Sequence, residues 1–415
     1  MRSMGVFQAV SILLPKNVDM QRWAVIACDQ FTSDPSYWRR VRDFVGEAPS
    51  TLHMILPEAE LGAPGEPEKI EKIEKTMEQY LNSGLFTEYR DAYVYVERTL
   101  LNGSVRRGLL GMVDLEQYDY KPGSVSPIRA TEKTVLERIP PRQRVRRGAG
   151  LEFPHVLMLC DDKERTLMEP LTGEKENLPL LYDFDLMEGG GRIRGYLVRG
   201  AAARAFEERL ATYEAGTAAR YGGLKGTPVV FAVGDGNHSL ATAKSCYEEL
   251  KAKNPGMDLS NHPARYALVE LENIHDEAQR FEPIHRVVTD TDPEALLQAL
   301  EPWCGPEGHA VTWIIGDRQG TVYLDRARSP LAVGVLQAFL DDYLQSHSGK
   351  IDYIHGEEAV RDLARQEKTI GFLLPGMEKG DLFRGVVADG VLPRKTFSMG
   401  HAQEKRYYLE GRKIK

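Results

Sequence analysis

Apolar residues recur along the chain with two different spacings, one typical of β-strands and one typical of α-helices. This pattern predicts a mixture of strands and helices. WAVIACDQ, residues 23–30, is an apolar run that ends in polar side chains, as buried strands often do. Residues 68–84 carry apolar side chains at helical spacing and stop at Gly84. We interpret this stripe as core material, so strand-like and helix-like segments both occur early in the sequence.

Two pairs of alternating segments predict β-hairpins. The first spans residues 92–115 and turns at Asn102-Gly103, a strong hairpin dipeptide. The second spans residues 182–198 and turns at the glycine triplet 189–191. We interpret the triplet as a turn rather than a phosphate loop, because no helix follows it and no Lys-Ser or Lys-Thr pair closes it.

The remaining pattern alternates between helices and strands. The segments expected to be helical are 201–216, 293–301, 331–345 and 357–366, and those expected to be strands are 228–234, 265–274, 310–315, 369–374 and 383–388. The expected fold class is α+β (mixed α/β), with mixed sheets, hairpins and flanking helices. A chain of 415 residues is longer than the length at which a single hydrophobic core stops growing. Two or three closely packed subdomains are therefore expected. We place them at 1–128 (N-terminal α/β), 129–289 (central) and 290–415 (C-terminal α/β).

Composition narrows the classes of partner. A formal charge of -8 and a pI near 5.8 argue against a nucleic-acid partner. Four cysteines without a CxxC pair indicate neither a zinc site nor a disulfide framework, which fits the cytoplasm. The apolar start is interrupted by Gln8 and Ser11 and is interpreted as a strand rather than a signal peptide. No run approaches the roughly 18 apolar residues of a membrane span, so no membrane partner is expected.

Arginines cluster in the segment PPRQRVRRG. They are Arg142, Arg144, Arg146 and Arg147. Such a cluster could hold a phosphate, but a solvated basic loop is the favoured interpretation.

The segment VVFAVGDGNHSLATAKSCYEEL, residues 229–250, carries the clearest chemistry. A predicted strand ends at Asp235, turns at Gly236 and continues as a helix for which Asn237 is the predicted N-cap. Glycine allows close approach to the backbone, and the first N–H groups of a helix suit a phosphate. Asp235 could bind a metal or accept a proton, and His238, which projects away from the buried stripe, could stabilise the transferred group. Simple helix capping by Asp235 and Asn237 remains the alternative.

The chain resembles, over nearly its whole length, the bacterial family catalogued as domain of unknown function 1015. The family's usual signature at this turn is DGHHR; the chain keeps Asp235, Gly236 and His238 but has Asn237 and Ser239 at the other two positions. Other matching segments follow in the same order: WAVIACDQFTSDPSYW at 23–38, RATEKT at 129–134, PIHRVV at 283–288 and LPRKTFSMG at 392–400.

The turn is also similar to one in the ParB-like group, which contains nucleotide-binding partition proteins and an archaeal free serine kinase that moves phosphate from ADP to serine. This resemblance implies a ParB-like core, ADP or ATP with Mg²⁺ as cofactors, and a small-molecule substrate. Because Ser239 stands where the signature has arginine, a phosphate contact must come from elsewhere. Arg129, Arg144 and Lys395 are the candidates.

Phosphoryl transfer requires a base, phosphate ligands and a substrate pocket. The catalytic candidates are Asp235, His238 and Glu132, with Asp235 also as metal ligand. The cofactor-binding candidates are Gly236, Asn237, Lys133, Thr134, Arg144, His285, Arg286 and Lys395, and the substrate-binding candidates are Asp29, Gln30 and Ser398. Each set has a structural alternative: a solvated charge pair for Glu132 and Lys133, a strand end for His285 and Arg286, a bland turn for Lys395 and Ser398, and helix capping for Asp29 and Gln30.

The leading hypothesis is a cytoplasmic, nucleotide-dependent phosphotransferase that acts on a small hydroxylated metabolite, free serine or phosphoserine for preference, in the kinase or phosphatase direction. The alternative is a nucleotide-sensing regulatory module of ParB-like type without turnover. Either is compatible with a homo-oligomer. The sequence contains no HExxH, GxSxG or Walker loop, which argues against a P-loop kinase and a conventional serine hydrolase.

Overall fold

The chain folds into two compact units in the computed structural model, which describes residues 5–32, 34–121, 123–221, 228–393 and 395–415. The first unit consists of residues 1–279 and 401–415, and the second consists of residues 280–400. The C-terminal segment therefore belongs to the same unit as the N-terminal half of the chain. Arg394, in the LPRKTFSMG segment, lies outside the described residues.

Strands and helices alternate through both units. The strands are β1 Phe7–Gln8, β2 Val10–Pro15, β3 Val25–Ile26, β4 Phe86–Thr99, β5 Val105–Asp114, β6 Tyr118–Asp119, β7 Ile128–Ala130, β8 Leu151–Glu152, β9 Leu157–Cys160, β10 Leu180–Asp185, β11 Arg192–Val198, β12 Phe231–Asp235, β13 Tyr266–Asn273, β14 Phe281–Thr289, β15 Cys304–Ile315, β16 Arg318–Leu324, β17 Lys350–His355, β18 Ile370–Leu373, β19 Phe397–Met399, β20 Tyr407–Tyr408 and β21 Arg412–Lys413. The α-helices are α1 Met20–Trp23, α2 Pro35–Val45, α3 Glu66–Asn82, α4 Ile139–Gly148, α5 Pro170–Glu174, α6 Ala201–Arg220, α7 Asn237–Lys253, α8 Pro293–Leu300, α9 Ala332–Tyr343, α10 Glu357–Ala364 and α11 Lys379–Asp389. This mixture confirms the predicted mixed α/β class.

A large mixed sheet organises the first unit. Its strand order is β10-β11-β4-β5-β13-β9-β12-β7-β6, with β1 on β5 and β2 on β4. Strand β12 pairs in parallel with β7 and antiparallel with β9. The carboxyl ends of β7 and β12 therefore lie side by side, which brings the residues after Ala130 close to those after Asp235.

Both faces of this sheet are covered by apolar side chains. Along β4, Val94 and Val96 belong to one buried cluster, which also contains residues of α2 and α3. Tyr93 and Tyr95 belong to the opposite cluster, with residues of α6 and α7. Because successive side chains of a strand point to opposite faces, this alternation places β4 between two cores.

The second unit contains its own sheet and core. The strand order is β16-β15-β18-β14-β17, and β19 extends the pairing of β14. Helix α10 contributes Val360 and Ala364 to a buried cluster with Val287, Ile314 and Leu373.

The local sequence signals predicted several elements correctly. Both hairpins are confirmed: β4 and β5 pair around a turn in which Gly103 has a φ of 81°, and β10 pairs with β11. The strand predicted at 23–30 is shorter than expected, since regular pairing is confined to β3. Among the described residues, no helix combines the length and apolar character needed to cross a membrane.

The strand predicted at 383–388 is wrong, because these residues lie in α11. The fully buried side chains Leu382, Phe383 and Val386 recur at spacings of one and three to four residues, which places them on one face of a helix. A short apolar run fits either period, and here tertiary packing decides between them.

The predicted solvated loop at the arginine cluster is also wrong. The segment forms α4, and each arginine pairs with a glutamate from another part of the first unit. The pairs are Arg142–Glu58, Arg144–Glu66, Arg146–Glu152 and Arg147–Glu249, with N–O distances of 2.7, 2.7, 2.5 and 2.9 Å. These four ion pairs therefore connect α4 to other segments of the first unit.

Candidate functional site

The turn after β12 has a backbone that requires glycine. Gly236, not Asn237 as predicted, is the N-cap of α7, and its φ of 80° is left-handed. A Cβ at this position would lie 3.0 Å from the Cα of Val156 and 3.3 Å from a ring carbon of His155. Asn237 is the first helical residue, and no side chain caps the helix start. The first backbone N–H groups of α7, at the positive end of its dipole, therefore have no side-chain cap and favour an acceptor with negative charge.

The segment after β7 packs against this turn. Thr131 donates its hydroxyl to the carbonyl of Val233 at 2.6 Å, and Asn237 Nδ2 reaches Thr131 Oγ1 at 3.5 Å. The backbone N–H of Val135 donates to His238 Nε2 at 3.2 Å. Residues 131–135 therefore lie alongside residues 235–239, as the parallel pairing of β7 and β12 requires. The structure thus brings together the segments that contain Glu132, Lys133 and Thr134 and those of the turn.

Two buried polar atoms at this junction lack hydrogen-bond partners among the described residues. They are Thr134 Oγ1 and Asn237 Oδ1, and each side chain belongs to a residue that is 5% exposed. Buried polar groups are almost always paired with protein or water, so each orphan requires an explanation. A bound ligand or an ordered water that enters the junction would supply these partners.

Asp235 forms an ion pair with Lys405. The Nζ–Oδ2 distance is 3.1 Å, and the Asp235 and Lys405 side chains are 23% and 13% exposed. Burial opposes ionisation of Asp235, but the charge and hydrogen bond of Lys405, with smaller contributions from His155 and the Gly236 N–H, hold its pKa below the usual value. Asp235 is therefore a carboxylate at neutral pH and a poor proton acceptor.

A buried network of arginines positions the segment that carries Lys405. Arg98 donates to three backbone carbonyl oxygens of residues 403–405. Arg406 lies 2.6 Å from Glu270 and 2.5 Å from Glu410, and all three side chains are at most 3% exposed. Glu270 belongs to β13 of the large sheet, so this network fixes Lys405 relative to the sheet and hence to Asp235.

A cavity of about 170 Å³ lies next to the turn within the first unit. Its apolar wall contains Met54, Ile55, Leu56, Leu61, Met77, Val145, Leu151 and Phe153. Its polar wall includes Cys28, His155, Ser239 and Tyr408. Concave sites with an apolar lining and a few convergent polar groups are typical small-molecule sites.

Cys28, His155, Ser239 and Tyr408 form a hydrogen-bonded chain in this wall, whose other polar residues are Glu58, Arg142, Arg146, Glu152 and Thr242. Ser239 Oγ lies 2.9 Å from His155 Nε2, and Tyr408 Oη lies 3.0 Å from His155 Nδ1. Tyr408 also donates to the sulfur of Cys28 at 3.0 Å and accepts from the Cys28 N–H at 3.1 Å. Burial, followed by the charge of Asp29, raises the pKa of Cys28 to about 12, so the thiol stays protonated at neutral pH.

The other candidates of the first unit have protein partners. Asp29 accepts from Gln30 Nε2 at 3.0 Å, next to Cys28 of the cavity wall. Arg129 is 3% exposed and donates to the carbonyl of Ser126 at 3.1 Å. Arg144 pairs with Glu66.

Four candidates belong to the second unit, where each has contacts of its own. Arg286 is fully buried and donates to Gln337 and to the carbonyls of Ile284 and Lys395. His285 Nδ1 accepts from the N–H of Leu374 at 3.1 Å, and burial lowers the pKa of this histidine. Lys395 is exposed, and Ser398 donates to the carbonyl of Gly400.

Sequence analysis missed Lys405, His155 and Tyr408. No local motif marks these residues, because each acts through contacts with residues far away in the chain. Within the described ranges, no group of three or more His, Cys, Asp or Glu side chains could hold a metal ion. With Asp235 already paired with Lys405, the described residues do not form a protein-only Mg²⁺ site.

Comparisons with known proteins agree with the resemblance seen in the sequence. The family described as "Protein of unknown function (DUF1015)" matches residues 11–409. No curated protein matches the chain.

Several solved structures are similar to parts of this chain at low identity. SbnI from Staphylococcus aureus, truncated at its C terminus, is 13% identical with a TM-score of 0.36, and the match covers 70% of this chain and 82% of that one. A mutant of a free serine kinase in complex with ADP is 10% identical with a TM-score of 0.38, over 73% and 91% of the two chains. A conserved hypothetical protein from Pyrococcus furiosus is 11% identical with a TM-score of 0.34, over 73% and 94%. At these values the likenesses carry no assignment of function.

Proposed function

The chain belongs to the DUF1015 family, whose description assigns no activity, and we propose that it binds ADP or ATP at the turn 235–238 and transfers a phosphoryl group to or from the hydroxyl of a small metabolite. Free serine and phosphoserine are the preferred substrates. This activity extends the nucleotide-binding hypothesis that the sequence motif raises.

The orphaned polar atoms at the turn carry the proposal. Leaving a buried polar atom unpaired costs about 1–3 kcal/mol, so a ligand that pairs both atoms binds with a corresponding gain. Thr134 offers a hydroxyl donor for a phosphate oxygen, and Asn237 Oδ1 offers an acceptor for a hydroxyl or ammonium group. A phosphate and a hydroxylated amino acid have these complementary groups.

Charge at the site favours an anionic ligand near Lys405. The uncapped start of α7 and the Lys405 ammonium both favour negative charge, and Asp235 keeps the ammonium in place. Because the pKa of Asp235 is low, the proposal assigns Asp235 to holding Lys405 and assigns proton transfer from the substrate hydroxyl to Glu132.

The second candidate function is a nucleotide sensor without turnover, because the pairing of Asp235 with Lys405 leaves the turn itself without a carboxylate that readily accepts a proton. In that case the turn binds the nucleotide and the bound state alters contacts elsewhere in the protein. The two functions share the binding site and differ only in whether Glu132 has a substrate hydroxyl to deprotonate.

The test combines calorimetric titration of ADP and ATP with an assay of serine and phosphoserine interconversion, using ADP, ATP and water in turn. The phosphotransferase proposal expects binding, turnover with one of the three, and loss of turnover in Glu132→Gln with the nucleotide still bound. Nucleotide binding without any turnover would contradict the phosphotransferase function and support the sensor function. No nucleotide binding at millimolar concentration by the folded protein would overturn both.

A further inference from the structure

We propose that Ser239 is a nucleophile, with His155 as its general base, and that it accepts small apolar acyl groups from thioesters or activated esters bound in the neighbouring cavity. This activity is independent of nucleotide binding. It rests on three observations: the serine–histidine contact, the tyrosine that contacts the other nitrogen of the histidine, and the largely apolar cavity that the serine lines.

The hydrogen bonds of Tyr408 favour one tautomer of His155. The single Tyr408 proton is donated to the sulfur of Cys28, and the oxygen accepts the N–H of Cys28. With this arrangement of the Tyr408 proton, the remaining contact, 3.0 Å to His155 Nδ1, is completed when the histidine donates. A neutral His155 that carries its proton on Nδ1 presents Nε2 as an acceptor, 2.9 Å from Ser239 Oγ. This is the arrangement of a nucleophile, a base and an orienting group.

The cavity supplies a place for an acyl chain. Ser239 and His155 both line it, and the wall around them includes Met54, Leu56 and Val145. Leu56 and Met54 are 6% and 2% exposed, so little of these two side chains faces bulk water. Apolar groups gain about 25 cal/mol for each Å² removed from water, which favours an aliphatic acyl group here over a polar one.

The chemical step is balanced without a further reagent. Ser239 Oγ attacks the carbonyl carbon, and its proton passes to His155 Nε2. The bond from the carbonyl carbon to sulfur or oxygen breaks, and the leaving thiolate or phenolate takes the proton from His155. The products are an acyl ester on Ser239 and a free thiol or phenol. The positive end of the α7 dipole, at the same turn, favours the oxyanion that forms on the way.

A purely structural role is the competing explanation, since a buried serine–histidine contact also stabilises a fold. The two explanations differ in reactivity. A structural serine reacts with esters no faster than other serines of the folded protein, whereas a serine activated by a base reacts about 10²–10⁴ times faster. Ser245 is a matched reference because it also lies on α7 and is hydrogen-bonded, to Gln143 at 3.0 Å.

The experiment treats the full chain with p-nitrophenyl butyrate, follows the release of p-nitrophenolate, and maps the butyryl group by peptide mass spectrometry. The expected result is a burst of p-nitrophenolate with the butyryl group on Ser239 and not on Ser245. His155→Asn should slow acylation at least ~100-fold, the lower end of the effect of a general base, and Ser245→Ala should leave it unchanged. Tyr408→Phe should slow it about 10-fold, because Nδ1 loses its partner.

Mapping on the unaltered protein keeps the test valid even if Ser239→Ala does not fold. Leu56→Trp places a larger side chain in the cavity wall. It should slow acylation by p-nitrophenyl butyrate more than acylation by p-nitrophenyl acetate, because the butyryl chain is longer. Acylation of surface lysines with Ser239 unmodified would overturn the proposal. So would equal rates for the unaltered protein and a folded His155→Asn variant.

Discussion

Lys405 Nζ lies 3.1 Å from Asp235 Oδ2, so a residue near the end of the chain completes the turn that the sequence marks most clearly. The contact joins a strand end of the large sheet to the segment fixed by Arg98 and Arg406. It also explains why the turn carries a carboxylate with lowered pKa rather than a free base. The consequences of this pair, and of the groups around it, can be measured.

Asp235→Asn should abolish phosphotransfer while nucleotide affinity changes by less than about threefold, because Lys405 loses the partner that orients it but keeps its charge. The measurement is a parallel determination of turnover and of nucleotide affinity by calorimetry. Asp290→Asn is the control, since Asp290 pairs with Lys350 at the same distance of 3.1 Å but in an exposed position. A variant with full turnover would show that the pair has no role in the reaction.

The Asp235–Lys405 pair should stabilise the fold in a pH-dependent manner. The folded-state pKa of Asp235 is depressed, so the contribution is present above the unfolded pKa of about 3.9 and is lost as pH falls through the folded value. Lys405→Met should therefore lower the free energy of unfolding at pH 7 by about 1–3 kcal/mol, between the values typical of exposed and buried pairs, and by less at a pH below about 3.9. Urea unfolding at both pH values measures this, and an equal loss at the two would contradict it.

Gly236→Ala should destabilise the protein more than Gly103→Ala. The two glycines have φ values of 80° and 81°, but only at Gly236 would a Cβ meet other atoms, whereas nothing lies within 4 Å at Gly103. The backbone cost of about 1–2 kcal/mol is common to both, and the contacts with Val156 and His155 add to it only at the turn. Chemical unfolding of the two variants compares these costs. Equal losses would mean that the surroundings of Gly236 adjust freely.

Glu272→Gln should change how stability depends on pH. Burial raises the pKa of Glu272 to about 8, although Arg106, 3.0 Å away, opposes the shift. A raised folded pKa means that stability is fully present below the unfolded value of about 4.3 and is lost as pH rises towards the folded value. The stability of the variant relative to the unaltered protein should therefore increase between about pH 5 and pH 8. A constant difference across that window would indicate that Glu272 stays ionised.

Local sequence determined the secondary structure of much of this protein and the position of its central turn. Asn102-Gly103 predicted a hairpin because a tight turn depends on residues adjacent in the chain. Asp235, Gly236 and His238 predicted a strand–turn–helix for the same reason, although the helix begins one residue earlier than expected. The segment 383–388 was mistaken for a strand, since a short apolar run contains both periods.

Only the tertiary structure decided which distant groups meet at that turn. Lys405, His155 and Tyr408 are individually ordinary in sequence, and they became candidates through contacts with Asp235, Ser239 and Cys28. Arg144 and Arg147 of α4 likewise pair with glutamates that lie far away in the sequence. The physical reason is that electrostatic and hydrogen-bond contacts depend on distance in space, and the periodic patterns that reveal helices and strands contain no information about it.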